Sequence, residues 1–230
     1  MTRERVLLTN VLVVAVCALV YELLCGTLAS YLLGDAVLQF SLVLGTYLFA
    51  MGVGAWISRR LEPSAPRRFV QAELALAVVG GFSVPILLLA AAAHVPLRPA
   101  LHAIVFVVGA IVGLELPLLV HILRQRKVEE TDPARGAAFG DVVARALAYD
   151  YVGALAASLL FPLVLVPHLG LVRTSLVTGA LNAVAALSAT FVLDVERRRA
   201  ARVASFVVIG VLAIAFVRGE SILLRVAAMD

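Results

Sequence analysis

This 230-residue chain is poor in what a water-soluble protein of its size needs. Only 15% of its residues are charged, Lys127 is the one lysine among 19 basic residues, and there are one tryptophan and two cysteines. With 63% hydrophobic residues, against roughly 45–50% in soluble domains, and a mean hydropathy of +1.05, a soluble globule is excluded. Cys17 and Cys25 lie in one apolar run, so they exclude a disulfide framework and fit no metal-ligand spacing; they read as small packing residues. No HExxH, CxxC or Ser-His-Asp arrangement occurs. Gly80 and Gly81 sit inside an apolar run and form no phosphate loop. The expectation is therefore no metal, no cofactor and no catalytic residue. No basic patch with interleaved aromatics supports nucleic-acid binding, so no nucleic-acid partner is expected. The net charge of +4 and pI near 9.5 instead fit loops that face anionic lipid.

What the chain does have is long apolar runs. About 20 such residues cross roughly 30 Å of hydrocarbon at 1.5 Å per residue. Seven runs qualify, at 6–25, 37–58, 69–93, 100–123, 142–166, 170–193 and 203–217, the last being short. Backbone groups find no water in hydrocarbon and uniform runs do not alternate as a barrel requires, so each run is a helix. The fold class is all-α: a polytopic transmembrane helical bundle forming one domain over 1–230. Fourteen of the 19 basic residues fall on one side, in the N-terminus and the second, fourth and sixth connections. By the positive-inside rule the N-terminus is cytoplasmic. Arg3 and Arg5 before an apolar stretch resemble a signal peptide, but Glu22 and the later runs argue that the first span is retained.

Several local features modify this plan. An uninterrupted helix from Val6 to Leu33 would measure about 42 Å, so the first span is either a tilted extension or is broken near Gly26. Pro117 lacks the donor for the carbonyl of Gly113, which predicts a kink. Pro167-His-Leu-Gly170 joins spans five and six as a tight hairpin. Tyr21-Glu22 with Gly26 resembles Tyr149-Asp150 with Gly153, a faint parallel repeat about 128 residues apart. Gly109 and Gly113 form a GxxxG whose expected use is internal packing rather than dimerisation. The four histidines lie at or near span ends.

Acids within apolar helices carry the functional information, since an aspartate at a helix centre costs about 2.5–3.5 kcal/mol on insertion. Glu22, Glu115 and Asp150 neighbour no loop and are expected to face the bundle interior. Two readings stand side by side. In one, the three acids converge, with Tyr21 and Tyr149, to bind a cation such as a polyamine or a proton. In the other, each is a structural acid tied to Arg145, Tyr21, Tyr149, Asn182 or the carbonyl freed by Pro117. Asp141 and Arg145, four apart, are expected to pair along one helix face.

Taken in order, Ala18-Leu-Val-Tyr21-Glu22, Ser30-Tyr-Leu-Leu-Gly34-Asp35, Tyr47-Leu-Phe-Ala-Met-Gly52-Val-Gly54, Gly113-Leu-Glu115-Leu-Pro117 and Tyr149-Asp150-Tyr-Val-Gly153, running to Pro167-His-Leu-Gly170-Leu-Val-Arg173-Thr, resemble a known family. They look like the N-terminal membrane region of bacterial membrane-bound spermidine synthases, the polyamine aminopropyltransferases. The resemblance implies a multi-pass protein of the bacterial inner membrane that acts as the membrane module of a spermidine-synthase-like protein. Such a module would tether or regulate polyamine synthesis and bind polyamine, with the bilayer and a soluble synthase domain or subunit as partners. The family's soluble catalytic domain is expected to be absent from residues 1–230, so no catalytic residue carries over. Seven spans would also leave the tail outside, whereas a synthase using a cytosolic cofactor belongs inside. A small polyamine or cation transporter and a non-catalytic scaffold are the competing readings.

Overall fold

The computed structural model describes residues 3–130 and 137–227, with side chains for 5–125 and 140–218. It is all-helical, with no strand among the described residues: α1 (Arg3–Leu33), α2 (Ala36–Ser58), α3 (Ala65–Gly81), α4 (Ser83–Ala92), α5 (Leu97–Glu130), α6 (Ala137–Leu160), α7 (Val166–Val192) and α8 (Arg198–Ala227). Six helical stretches are long and apolar enough to cross a membrane. The seven separate runs read from sequence are therefore not reproduced one for one.

The discrepancy lies between α6 and α7. Gly140–Val192 is one apolar stretch of 53 residues, about 80 Å if it were straight helix. It is not straight. Pro162 and Pro167 withhold backbone donors, and a π-helical turn at Phe161–Leu165 absorbs part of the mismatch. Gly170 then leaves helical geometry altogether at φ 70°, ψ 176°, a region open essentially to glycine alone. Packing against α1 gives the directions on either side. Gly153 of α6 lies against Leu12, Ala15 and Val16, while Val142 shares a cluster with Leu7 and Leu8, so α6 runs parallel to α1. Cys17 Sγ donates to the Thr178 carbonyl and Ser188 Oγ to Asn10 Oδ1, so α7 runs antiparallel to α1.

Three other boundaries differ from the sequence reading. The first span is the extended alternative: α1 continues through Gly26, where the missing side chain admits the ring of Phe40, and ends at Gly34 (φ 72°). Asp35 then caps α2 by accepting from the Leu38 N–H at 3.2 Å. The run at 69–93 is two helices meeting at Phe82, because Pro85 has no donor for the Gly81 carbonyl and its ring crowds that turn. The last helix is longer than 203–217, spanning 30 residues. By contrast, α5 continues through Pro117 as helix.

The glycines of α5 are used inside the chain. A Cβ on Gly109 would stand 2.9 Å from the Tyr47 carbonyl oxygen and 3.0 Å from Ala50 Cβ, and one on Gly113 would overlap the Met51 backbone. Thr46 Oγ1 and His102 Nδ1 pair at 3.1 Å further along, so α2 and α5 run parallel in close contact. One core cluster centres on Tyr21, Leu24, Leu28, Val105 and Val108, and a second on Leu7, Phe69, Leu118 and Ala189. α1 contributes to both, so it is the central pillar of the bundle.

Candidate functional site

A cavity of about 210 Å³ opens between α1, α2, α5 and α6. Glu22, Glu115 and Asp150 all line it, with Ala18, Leu19, Tyr47, Leu48, Met51 and Val112 among its walls. It is elongated along the bundle. Its α1 wall runs from Val14 to Glu22, about 12 Å by the helical rise.

The acids are staggered along that length. Asp150 lies one turn before Gly153, which packs against Leu12, Ala15 and Val16, so it approaches the Val14 end. Glu22 stands at the other end. Glu115 comes between them: it is an electrostatic neighbour of Cys17, and Leu118 and Leu119, about one turn further along α5, share a core cluster with Leu7, Val11 and Val14. Leu48 on the rim is 55% exposed, and Glu22 and Asp150 are partly buried. Glu115 is 1% exposed, and neither of its carboxyl oxygens has a hydrogen-bond partner among the described residues. A carboxyl group so placed is costly unless it meets a donor or a cation.

The tyrosines take different places. Tyr21 is fully buried and off the cavity wall: its ring packs where Gly80 leaves room, and its hydroxyl donates to the Leu76 carbonyl at 3.4 Å. It pins α1 to α3. Tyr149 is 39% exposed and does not line the cavity. The tyrosine on the wall is Tyr47, whose hydroxyl donates to the Ala18 carbonyl at 2.8 Å. Asp141 and Arg145 pair, Nε to Oδ1 at 3.3 Å; both are half-exposed and neither lines the cavity. Asn182 is fully buried, and neither of its amide atoms has a partner among the described residues. No group of three His, Cys, Asp or Glu side chains suited to a metal occurs among the described residues.

Sequence reading missed one buried acid, Glu73. It is 0% exposed, its carboxyl oxygens lack partners among the described residues, and it is an electrostatic neighbour of Glu115. Four residues inside the expected start of its run, it reads as a residue near a helix end. The available signal was periodicity: Phe69, Val70, Leu76, Ala77 and Gly80 form the buried face of α3, and Glu73 falls on it.

The chain matches no protein-family model and no solved structure. It does match curated relatives. It is 45% identical over 196 residues to the polyamine aminopropyltransferase of Leptospira interrogans, covering 85% of this chain and 37% of that protein. It is 49% identical over 181 residues to polyamine aminopropyltransferase 2 of Ralstonia nicotianae, covering 78% of this chain and 34% of that protein. The polyamine aminopropyltransferase of Mycobacterium tuberculosis is 36% identical over 186 residues. The chain thus spans about a third of the length of the relatives it matches. Through the segment it shares with them, it is a relative of the polyamine aminopropyltransferases, the spermidine synthase family.

Proposed function

We propose that this chain is the membrane module of a spermidine-synthase-like protein of the bacterial inner membrane, and that its acid-lined cavity binds a polyamine. The module would tether or regulate polyamine synthesis by linking the membrane to a soluble synthase domain or subunit. The observation that carries this reading is the convergence of Glu22, Glu115 and Asp150, from three helices, on one elongated cavity. A linear, multiply charged amine matches a row of staggered carboxyls separated by apolar wall, whereas a compact ion meets only one of them. The relatives' names supply the amine class.

The topology goes with it. Counting Gly140–Val192 as two crossings, turned at Gly170, gives seven. The basic connections support a cytoplasmic N-terminus, and two of them meet at one end, where Arg67 pairs with Glu196 at 3.0 Å.

Equilibrium binding of labelled spermidine to the full chain in nanodiscs tests the reading. Saturable binding is expected, weakened about tenfold or more by Glu115→Gln, as a charge-assisted hydrogen bond is worth about 1.5–3 kcal/mol. Binding no greater than to empty nanodiscs would overturn it. The stagger of the acids also favours a second reading, passage of a polyamine along the row. Spermidine uptake into proteoliposomes that Asp150→Asn abolishes would support passage, and uptake equal to that of empty liposomes would exclude it.

A further inference from the structure

Glu73 does not line the cavity, yet among the described residues it is a fully buried acid and an electrostatic neighbour of Glu115. Its surroundings give its position along the cavity. Tyr21 reaches Leu76 and Gly80 from α1, while α3 itself packs along α5, where Phe69 shares a cluster with Leu118 and Leu119, so that Glu73, one turn later, comes level with Glu115. Cys17 is itself an electrostatic neighbour of both Glu73 and Glu115. The middle of the slot therefore has two carboxyls, one on the wall and one behind it, where each end has one. From α7, Asn182 joins the same layer. Gly179 packs on Ala77, and one turn further on the antiparallel helix brings Asn182 toward Glu73, with both amide atoms unpartnered among the described residues.

Two buried carboxyls and an amide, all lacking protein partners among the described residues, cost a bundle stability unless the carboxyls hold protons or the site takes up positive charge at that level. We propose that Glu73 is a specificity-determining residue that reinforces Glu115, so that the slot selects linear amines with an internal ammonium group between two terminal ones. This rests on the polyamine-binding reading above. The terminal ammoniums meet Glu22 and Asp150, and the internal secondary ammonium meets Glu115. Glu73 acts through Glu115, adding negative potential at mid-slot without touching the ligand.

A matched pair of ligands tests it. Spermidine and octane-1,8-diamine have the same length between terminal nitrogens and differ in one internal NH₂⁺ replaced by CH₂. Both are titrated onto the full chain in nanodiscs, in parallel with Glu73→Gln and Glu73→Met. The wild type is expected to bind spermidine at least tenfold tighter than the diamine. Both variants are expected to lose that preference while retaining wild-type affinity for the diamine. Glu73→Met keeps the test open if the glutamine variant does not fold, because an apolar side chain of similar size suits a buried position. Equal affinity of the wild type for both amines, or a preference untouched by either variant, overturns the role of Glu73 while leaving polyamine binding in place. If neither amine binds, the proposed function and this inference both fall.

Discussion

At the residue scale the molecule sets acids against their surroundings. Glu115 and Glu73 occupy fully buried positions with no protein donor among the described residues, an arrangement that lowers stability by about 1–3 kcal/mol per unsatisfied group. Replacing Glu115 with methionine is therefore expected to raise the melting temperature of the detergent-solubilised protein while reducing spermidine binding. A fall in melting temperature with binding intact would mean that Glu115 is a structural acid. Asp141 and Arg145 make a half-exposed pair that does not line the cavity, so Asp141→Asn is expected to change spermidine affinity less than twofold in the same titration. The three acids of the cavity were legible in the sequence because each interrupts an apolar run far from any loop. Glu73 was not, because the apparent edge of its run hid a helix that starts earlier. Tyr21 and Tyr149 share a local pattern, but one packs between helices and the other faces outward. Adjacency in sequence does not fix which side of a helix meets the interior.

At the scale of elements, glycines decide which helices approach and where the chain turns. Gly113 touches the backbone of Met51, whereas Gly45 has open space where a Cβ would stand. Gly113→Ala is expected to destabilise by about 1–3 kcal/mol, the usual cost of overpacking, and Gly45→Ala to leave the thermal melt within a degree of wild type. Equal melts for the two would show that α2 and α5 are not in backbone contact. Gly170 holds φ 70°, ψ 176°, so Gly170→Ala is expected to cost about 1–3 kcal/mol, measured by the same melts. The helical nature of every run was readable from hydropathy. Helix lengths were less so: α1 passes Gly26 because Phe40 fills the space that glycine leaves, and the third run divides because of Pro85, whose effect depends on the Gly81 carbonyl one turn earlier. The break at Gly170 was legible from Pro167 and Gly170 together.

At the scale of the whole molecule, the bundle places a row of carboxyls around α1, inside a chain that shares about a third of the length of its aminopropyltransferase relatives. Its topology can be tested without a ligand. Single cysteines at Asp35 and His168, on a background with Cys17 and Cys25 replaced by alanine, are expected to react with a membrane-impermeant maleimide from the periplasmic side. A cysteine at Ser64 is expected to react only after the membrane is opened. Labelling of position 168 from the same side as position 64 would contradict the seven-crossing arrangement. The central claim, that the acid-lined cavity holds a linear polyamine, is tested most directly by determining the structure of the full chain in nanodiscs with saturating spermidine. Elongated ligand density running from Glu22 past Glu115 to Asp150 is the expected result. A lipid tail in that cavity, with spermidine absent or bound elsewhere, would contradict it.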